Sequence, residues 1–297
     1  MTGKSRTGTI LLLITALIWG TGFSIGNIGM RYIPIYTYNG LKSIVAGLFL
    51  LVVIFIGKRR GEHTNPNSRR TMQGGIACGV ALFVASSLQN YGIAYGSVGK
   101  TSFITTLYIV FVPIISFILF KKKIQKRVGI SVLLAMIGMY LLAWKSDSAF
   151  EYIDGIVMLS AIAYAVHIIV IGHFAPDTDG VIMSCIQMFV CGVIALVAGV
   201  IFETNSIEAI KNGFAAVLYS GIMGSGIGFT LQIVAQKDVP ADLATIVMSM
   251  ESVFGAIFGY IILGQELSVR EITGCVVVFV AVMVTQLQGR RRSNTSC

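Results

Sequence analysis

Glu251 lies in the run MSMESVFGAIFGYIIL, and no other charged residue occurs between Asp242 and Glu266. An ionised carboxylate at the centre of a hydrocarbon layer costs at least about 2.5–3.5 kcal/mol. It must be protonated, paired or turned to a wet cavity. Two roles follow: a site for a proton or a cation, or a structural acid hydrogen-bonded between helices. The first is favoured, because ionisable groups at such depth usually serve transport pathways or proton relays. Gln89 and Gln232 are amides inside other apolar runs. Each needs partners for two donors and two lone pairs, so each either orients a solute or joins helices. Trp19, Tyr108 and Tyr164 are candidate pocket walls, and an aromatic box suits a cationic or amphipathic solute. These six residues are the expected binding site, with Glu251 also the candidate for proton coupling.

Nearby patterns carry less. Asn90 follows Gln89 at about 100° round a helix, so the two should point to different places. Lys42 can snorkel to the interface; a charge pair with Glu251, broken by substrate, is the sharper alternative. His167 reads as a buried neutral imidazole, and Tyr91 and Tyr95 as interface or core aromatics. Asp147, Glu151 and Asp154 read as solvated. AYGSVGKT over 94–101 fits a loose phosphate-loop pattern. It has no preceding strand and no nucleotide domain, so it reads as a turn between helices. Gly224 and Gly228 have the GxxxG spacing of close helix packing, and Pro113 should kink its helix. Cys78, Cys185, Cys191, Cys275 and Cys297 show no metal-ligand or disulfide pattern. No metal, cofactor or nucleophile constellation is expected.

The elements that hold these side chains follow from composition. Of 297 residues 55% are hydrophobic and 12% charged. That is about half the charge of a soluble chain, too little polar surface for a water-facing protein of this size. A net charge of +9 raises nucleic acid as a partner. The basic residues instead cluster in short loops, so lipid and not nucleic acid is expected. Ten runs approach the ~20 residues that cross a bilayer: 9–26, 37–57, 74–94, 98–120, 129–145, 153–173, 181–202, 214–236, 242–264 and 272–288. The fold class is therefore an all-α polytopic membrane protein.

With the N-terminus in the cytoplasm, sixteen basic residues fall inside: Lys4, Arg6, Lys58, Arg59, Arg60, Arg69, Arg70, Lys121, Lys122, Lys123, Lys126, Arg127, Lys237, Arg290, Arg291 and Arg292. Arg31, Lys145, Lys211 and Arg270 fall outside. This bias puts both termini in the cytoplasm of a cell inner (plasma) membrane protein. The halves also resemble each other. ALIWGTGF from Ala16 matches AIAYAVHI from Ala161, pairing Trp19 with Tyr164. LQNYGIAYGSVGKTSFITTLY from Leu88 matches LQIVAQKDVPADLATIVMSME from Leu231, pairing Gln89 with Gln232 and Tyr108 with Glu251. Residues 1–145 and 146–297 are then two five-helix repeats. Five is odd, so they are inverted relative to each other, a recurring plan of secondary transporters.

ALIWGTGF, YGIAYGSVGKTSFITTLYIVFVP and MESVFGAIFGYIILGQELSVREITG resemble the drug/metabolite transporter superfamily, in its ten-helix EamA branch with two EamA repeats. The resemblance implies a central cavity lined mainly by spans 1, 3, 4, 6, 8 and 9, and substrates among amino acids, other metabolites and cationic drugs. Two positions depart from it. Lys42 stands where Arg is common, keeping the charge, and Ser252 stands where Pro often follows the acid of span 9. The expected function is a secondary transporter of a small solute, working by alternating access and, by family weight, as an exporter. A membrane-embedded enzyme acting on a lipid or prenyl carrier is the rival, and it would need two or more carboxylates or a histidine cluster converging at one membrane face, which Glu251 alone does not supply. Monomer and homodimer both stay open. Cysteines introduced at the two termini should be labelled from the cytoplasmic side in whole-cell assays; labelling on opposite sides would contradict the even span count.

Overall fold

Every apolar run folds as a helix, because hydrocarbon offers no partner for backbone N–H and C=O groups and a helix satisfies them internally. The computed structural model describes residues 3–60, 68–96, 98–121, 125–143, 150–263 and 268–293. Lys122, Lys123, Lys145, Asp147 and Cys297 lie outside them. The described residues form ten helical rods and no strand. They are α1 (Gly3–Met30), α2 (Ile35–Arg59), α3 (Ser68–Tyr95), α4 (α4a Val98–Thr106 and α4b Tyr108–Phe120) and α5 (Lys126–Ala143). The second half holds α6 (Tyr152–Phe174), α7 (Gly180–Phe202), α8 (α8a Ile207–Tyr219, a π-helical stretch Ser220–Gly228, α8b Phe229–Ala235), α9 (α9a Ala241–Met248 and α9b Met250–Leu263) and α10 (Val269–Ser293). Among the described residues eight helices are long and apolar enough to cross a membrane, and 128–142 within α5 is a shorter apolar helix. α8 begins at Ile207 rather than 214. Its first turn is polar, and Ser206 caps it by accepting from the Ala209 N–H at 3.1 Å.

With ten rods, the start of α1 and the end of α10 lie at one face of the bundle, the termini end; the other face is the far end. Packing obeys an internal two-fold. α2 packs on α7 and α5 on α10; α3 packs on α6 as α8 does on α1; α3 on α7 as α8 on α2; α4 on α6 as α9 on α1. Exchanging each helix with the one five places away returns the same set. Atomic contacts repeat too. Thr15 Oγ1 donates to Gly228 O at 3.3 Å, and its counterpart Ser160 Oγ donates to Ala85 O at 2.9 Å. Gly47 packs on Phe189 as Gly192 packs on Ile44. Gly138 and Gly274 face each other where α5 crosses α10, so a side chain at either would meet backbone of the other helix. Such small-residue crossings let helices approach in lipid, where no hydrophobic force drives them together. Leu48, Leu51, Val52 and Phe55 of α2, with Val193, Val197 and Val200 of α7, point outward as a lipid-facing belt.

One expectation is overturned. Asp154 is 5% exposed rather than solvated, and it pairs with Lys100. It also accepts from the Glu151 N–H at 2.7 Å in the capping box that starts α6. The lysine of the phosphate-loop lookalike is therefore half of an ion pair joining α4a to α6. Removing one partner strands a buried charge, which costs about 3–5 kcal/mol. Asp154→Asn should lower the thermal midpoint of the purified protein clearly, and Lys100→Met combined with Asp154→Leu should lower it less.

Candidate functional site

Two helices break at mid-membrane. α4 is interrupted at Leu107, whose N–H bonds Ile104 O at 3.1 Å and whose O accepts from Val110 N at 2.9 Å. α9 is interrupted at Ser249, where Ser252 N bonds Ser249 O at 3.2 Å and Ser249 Oγ donates to Ile246 O at 2.7 Å. These short three-residue loops of hydrogen bonding tighten the chain locally. In α9 a serine hydroxyl and a tight turn make the break without the proline common in the resembling family. Tyr108 directly follows the first break and Glu251 lies two residues past the second; the two are the pair aligned in the internal repeat. Each is ten residues from the start of its rod, about 15 Å along the axis. That is the middle of a ~30 Å hydrocarbon core. Tyr108 Oη donates to Glu251 Oε1 at 3.1 Å, and Thr106 Oγ1 donates to the same oxygen at 3.1 Å.

A central cavity opens beside this pair, with an empty volume of about 890 Å³ that includes its open part. Trp19, Gln89, Tyr108, Tyr164, Gln232 and Glu251 all line it. Trp19 Nε1 donates to Gly224 O at 3.1 Å, and its ring lies 4.8 Å from that of Phe229. Tyr164 Oη donates to Gln89 Oε1 at 2.9 Å. The two aromatics play one part twice: each, on the first helix of its half, bonds the third helix of the other half. Gln232 donates to Gln236 Oε1 at 3.1 Å, and its own Oε1 has no partner. Tyr91 and Tyr95 pack against each other away from the cavity, with ring centroids 4.8 Å apart and planes tilted by 57°.

Several readings change. Asn90 lines the cavity together with Gln89. Gly228 is a close-packing glycine, since a Cβ there would collide with Trp19 Nε1, but Gly224 opens on the cavity with nothing within 4 Å. Both belong to the π-helical stretch of α8. Three of its carbonyls accept from side chains: Gly224 O from Trp19, Gly226 O from Thr230 and Gly228 O from Thr15. α3, the counterpart of α8, is regular helix throughout. α2 also enters the lining, through Tyr38, Asn39, Lys42 and Ser43. Lys42 faces the cavity instead of the interface, 5.5 Å from the centroid of the Tyr38 ring. It forms no ion pair with Glu251. His167 is fully buried on the cavity wall, with Nε2 2.9 Å from Gln187 Oε1 and Nδ1 unpartnered. Lys42, Asn39 and Asn90 carried one usable signal in sequence: polar side chains within apolar runs. Phe229, Ser220 and Ser225 carried none.

The sequence profile of the EamA-like transporter family matches residues 6–144 and again 152–287. The chain belongs to the EamA-like transporter family. An uncharacterized transporter of Archaeoglobus fulgidus is 25% identical over 93% of this chain and 85% of that protein. The uncharacterized transporter YoaV of Bacillus subtilis is 18% identical over 95% of this chain and 97% of its own. The uncharacterized inner membrane transporter YedA of Escherichia coli is 22% identical over 91% and 87%. A solved crystal structure of another protein superposes with a TM-score of 0.78 at 16% identity, covering 96% of this chain and 98% of that one, so the fold is shared. This EamA protein is a multi-pass membrane transporter.

Gly22 provides a test of the cavity. It lines the space, and a Cβ there meets nothing within 4 Å. Gly22→Leu should leave the thermal midpoint unchanged or raised, since leucine favours helix over glycine by nearly 1 kcal/mol. Flux of the solute carried by the wild type should fall by about ten-fold or more, as a tenfold loss needs only ~1.4 kcal/mol.

Proposed function

We propose that this protein is a secondary transporter that moves a small metabolite, an amino acid, amine or drug-like solute, across the cytoplasmic membrane by alternating access. The repeats, residues 1–145 and 146–297, rock about the central cavity. The observation that carries this reading is the pairing of two broken helices at mid-membrane, where Tyr108 and Thr106 of one half hold Glu251 of the other. A hydrogen-bonded contact between halves at the inversion centre can be kept or exchanged as they move. Glu251 exchanges a proton or meets a cationic group of the solute. Trp19, Tyr108 and Tyr164 shape the pocket, and Gln89 and Gln232 orient the solute.

With both termini in the cytoplasm, the far end of the bundle faces outward. A second recess sits at the termini end, lined by Pro113, His173, Lys237 and Asp242 among others. Between them Gln236 Nε2 donates to Ile168 O at 3.1 Å; Gln236 lines one space and Ile168 the other. Two recesses on opposite sides of a thin barrier suit alternating access. The direction is export. A lipid-carrier enzyme is less well supported, because Glu251 is the only acid on the cavity wall among the described residues.

Cells with and without the protein should differ in an accumulated metabolite, which identifies the solute. In proteoliposomes Glu251→Gln should then abolish the pH dependence of its transport and slow it by about ten-fold or more. A wild-type rate with unchanged pH dependence would rule out coupling through Glu251.

A further inference from the structure

Lys42 is a cation on the wall of a cavity whose single acid is engaged elsewhere. It lies seven residues into α2, about 10 Å along the axis from the far end, so roughly one helical turn nearer that end than Glu251. Among the described residues it forms no ion pair, and its ammonium lies over the face of Tyr38, 5.5 Å from the ring centroid. A desolvated ammonium without a counter-charge is costly, and an anion arriving beside it recovers the interaction. The internal symmetry does not call for this charge. The register that relates Gly47 to Gly192 places Gln187, a neutral amide, at the equivalent position of α7.

The surrounding donors point the same way. Asn90 is 2% exposed, lines the cavity, and its Nδ2 has no partner. Asn39 is fixed by donating to Ser86 Oγ at 2.9 Å and Ser87 Oγ at 3.2 Å. Its Oδ1 is left unpartnered, an acceptor for the Lys42 ammonium or for a solute N–H. On the deeper side the wall changes character: Glu251, the aromatic faces of Trp19 and Tyr164, and the unpartnered Gln232 Oε1 all favour a cationic group.

We infer that the far-end half of the cavity is an anion subsite with Lys42 as its cation and Asn90 as a neutral donor, and that the solute is amphoteric. Its carboxylate sits at Lys42 while its amine faces Glu251. This rests on the transporter reading and adds the solute's chemical class to it.

The test uses the purified full chain and ligand-dependent thermal stabilisation. The probes are L-phenylalanine and L-leucine, each set against the amine lacking the carboxylate (phenethylamine, isoamylamine) and the acid lacking the amine (hydrocinnamate, isocaproate). At least one amino acid should stabilise the protein at a concentration about ten-fold or more below either truncated partner, the scale of one charge-assisted hydrogen bond. Lys42→Met should erase the advantage over the amine while leaving amine binding near wild type, which also shows that the variant is folded. Lys42→Arg should retain it. An amine that binds as well as its amino acid, a preference that survives Lys42→Met, or the absence of stabilisation by both amino acids overturns the assignment. If it fails while cells still show a protein-dependent metabolite, the amphoteric class falls alone; if they show none, the transporter reading falls with it.

Discussion

The carboxyl of Glu251 sits near the middle of the bilayer, and both hydroxyls that donate to its Oε1, those of Thr106 and Tyr108, come from the other half of the chain. An acid at that depth has few solutions: water, a counter-ion, or fixed donors. This protein supplies donors, and supplying them constrains much else. The donors must come from a helix facing α9, and that helix must present them at the same level. Both α4 and α9 break within two residues of the contact, which turns their side chains toward each other. The close approach of the remaining helices, through Gly47, Gly192, Gly138 and Gly274, keeps the halves in register around that point.

Internal symmetry organises the bundle, and departures from it mark the cavity. The hydroxyl contacts of Thr15 with Gly228 and of Ser160 with Ala85 are one interaction made twice. At the termini end Gly8 packs on Ala235 and Val239, while at the far end Ile153 and Val157 pack on Gly96 and Gly92. The contact is again the same, with the small residue moved to the other partner. Against this background three features stand alone. α8 widens into a π-helical stretch where α3 stays regular. Lys42 faces a space whose symmetry mate position is Gln187. The recesses are also unlike: the central cavity is lined by Lys42 and Glu251, and the one at the termini end by Lys237 and Asp242. A two-fold protein must be uneven at any instant if it is to be accessible from one side.

The same accounting explains the polar groups outside the cavity. Glu203, at the far end of α7, accepts from Tyr36 N at 2.7 Å and from Thr37 N at 2.8 Å. It thereby caps the start of α2, which follows Pro34 and has no side-chain cap of its own. Lys100 and Asp154 neutralise each other between α4a and α6. Near a bilayer each exposed donor or charge that lacks water needs a specific partner, so the short connecting segments carry more structural duty than their length suggests.

The apolar runs that fold as helices and the similarity of the two halves, with Tyr108 aligned to Glu251, were legible in the sequence; the hydrogen bond between those two side chains was not. Hydrophobic run length is a one-dimensional consequence of bilayer thickness, and duplication leaves residue-by-residue traces. The six candidate residues, chosen as polar or aromatic groups where lipid tolerates few, all line the cavity. What the sequence left open was azimuth and partnership. Whether Lys42 snorkels or faces inward depends on which neighbours cover α2. Whether Asp154 meets water depends on Lys100, fifty-four positions earlier in the chain. The helix breaks at Leu107 and Ser249 were also hidden, because their i→i+3 bonds need no proline or glycine at the break. Those outcomes are set by contacts between rods distant in sequence, and only the assembled bundle determines them.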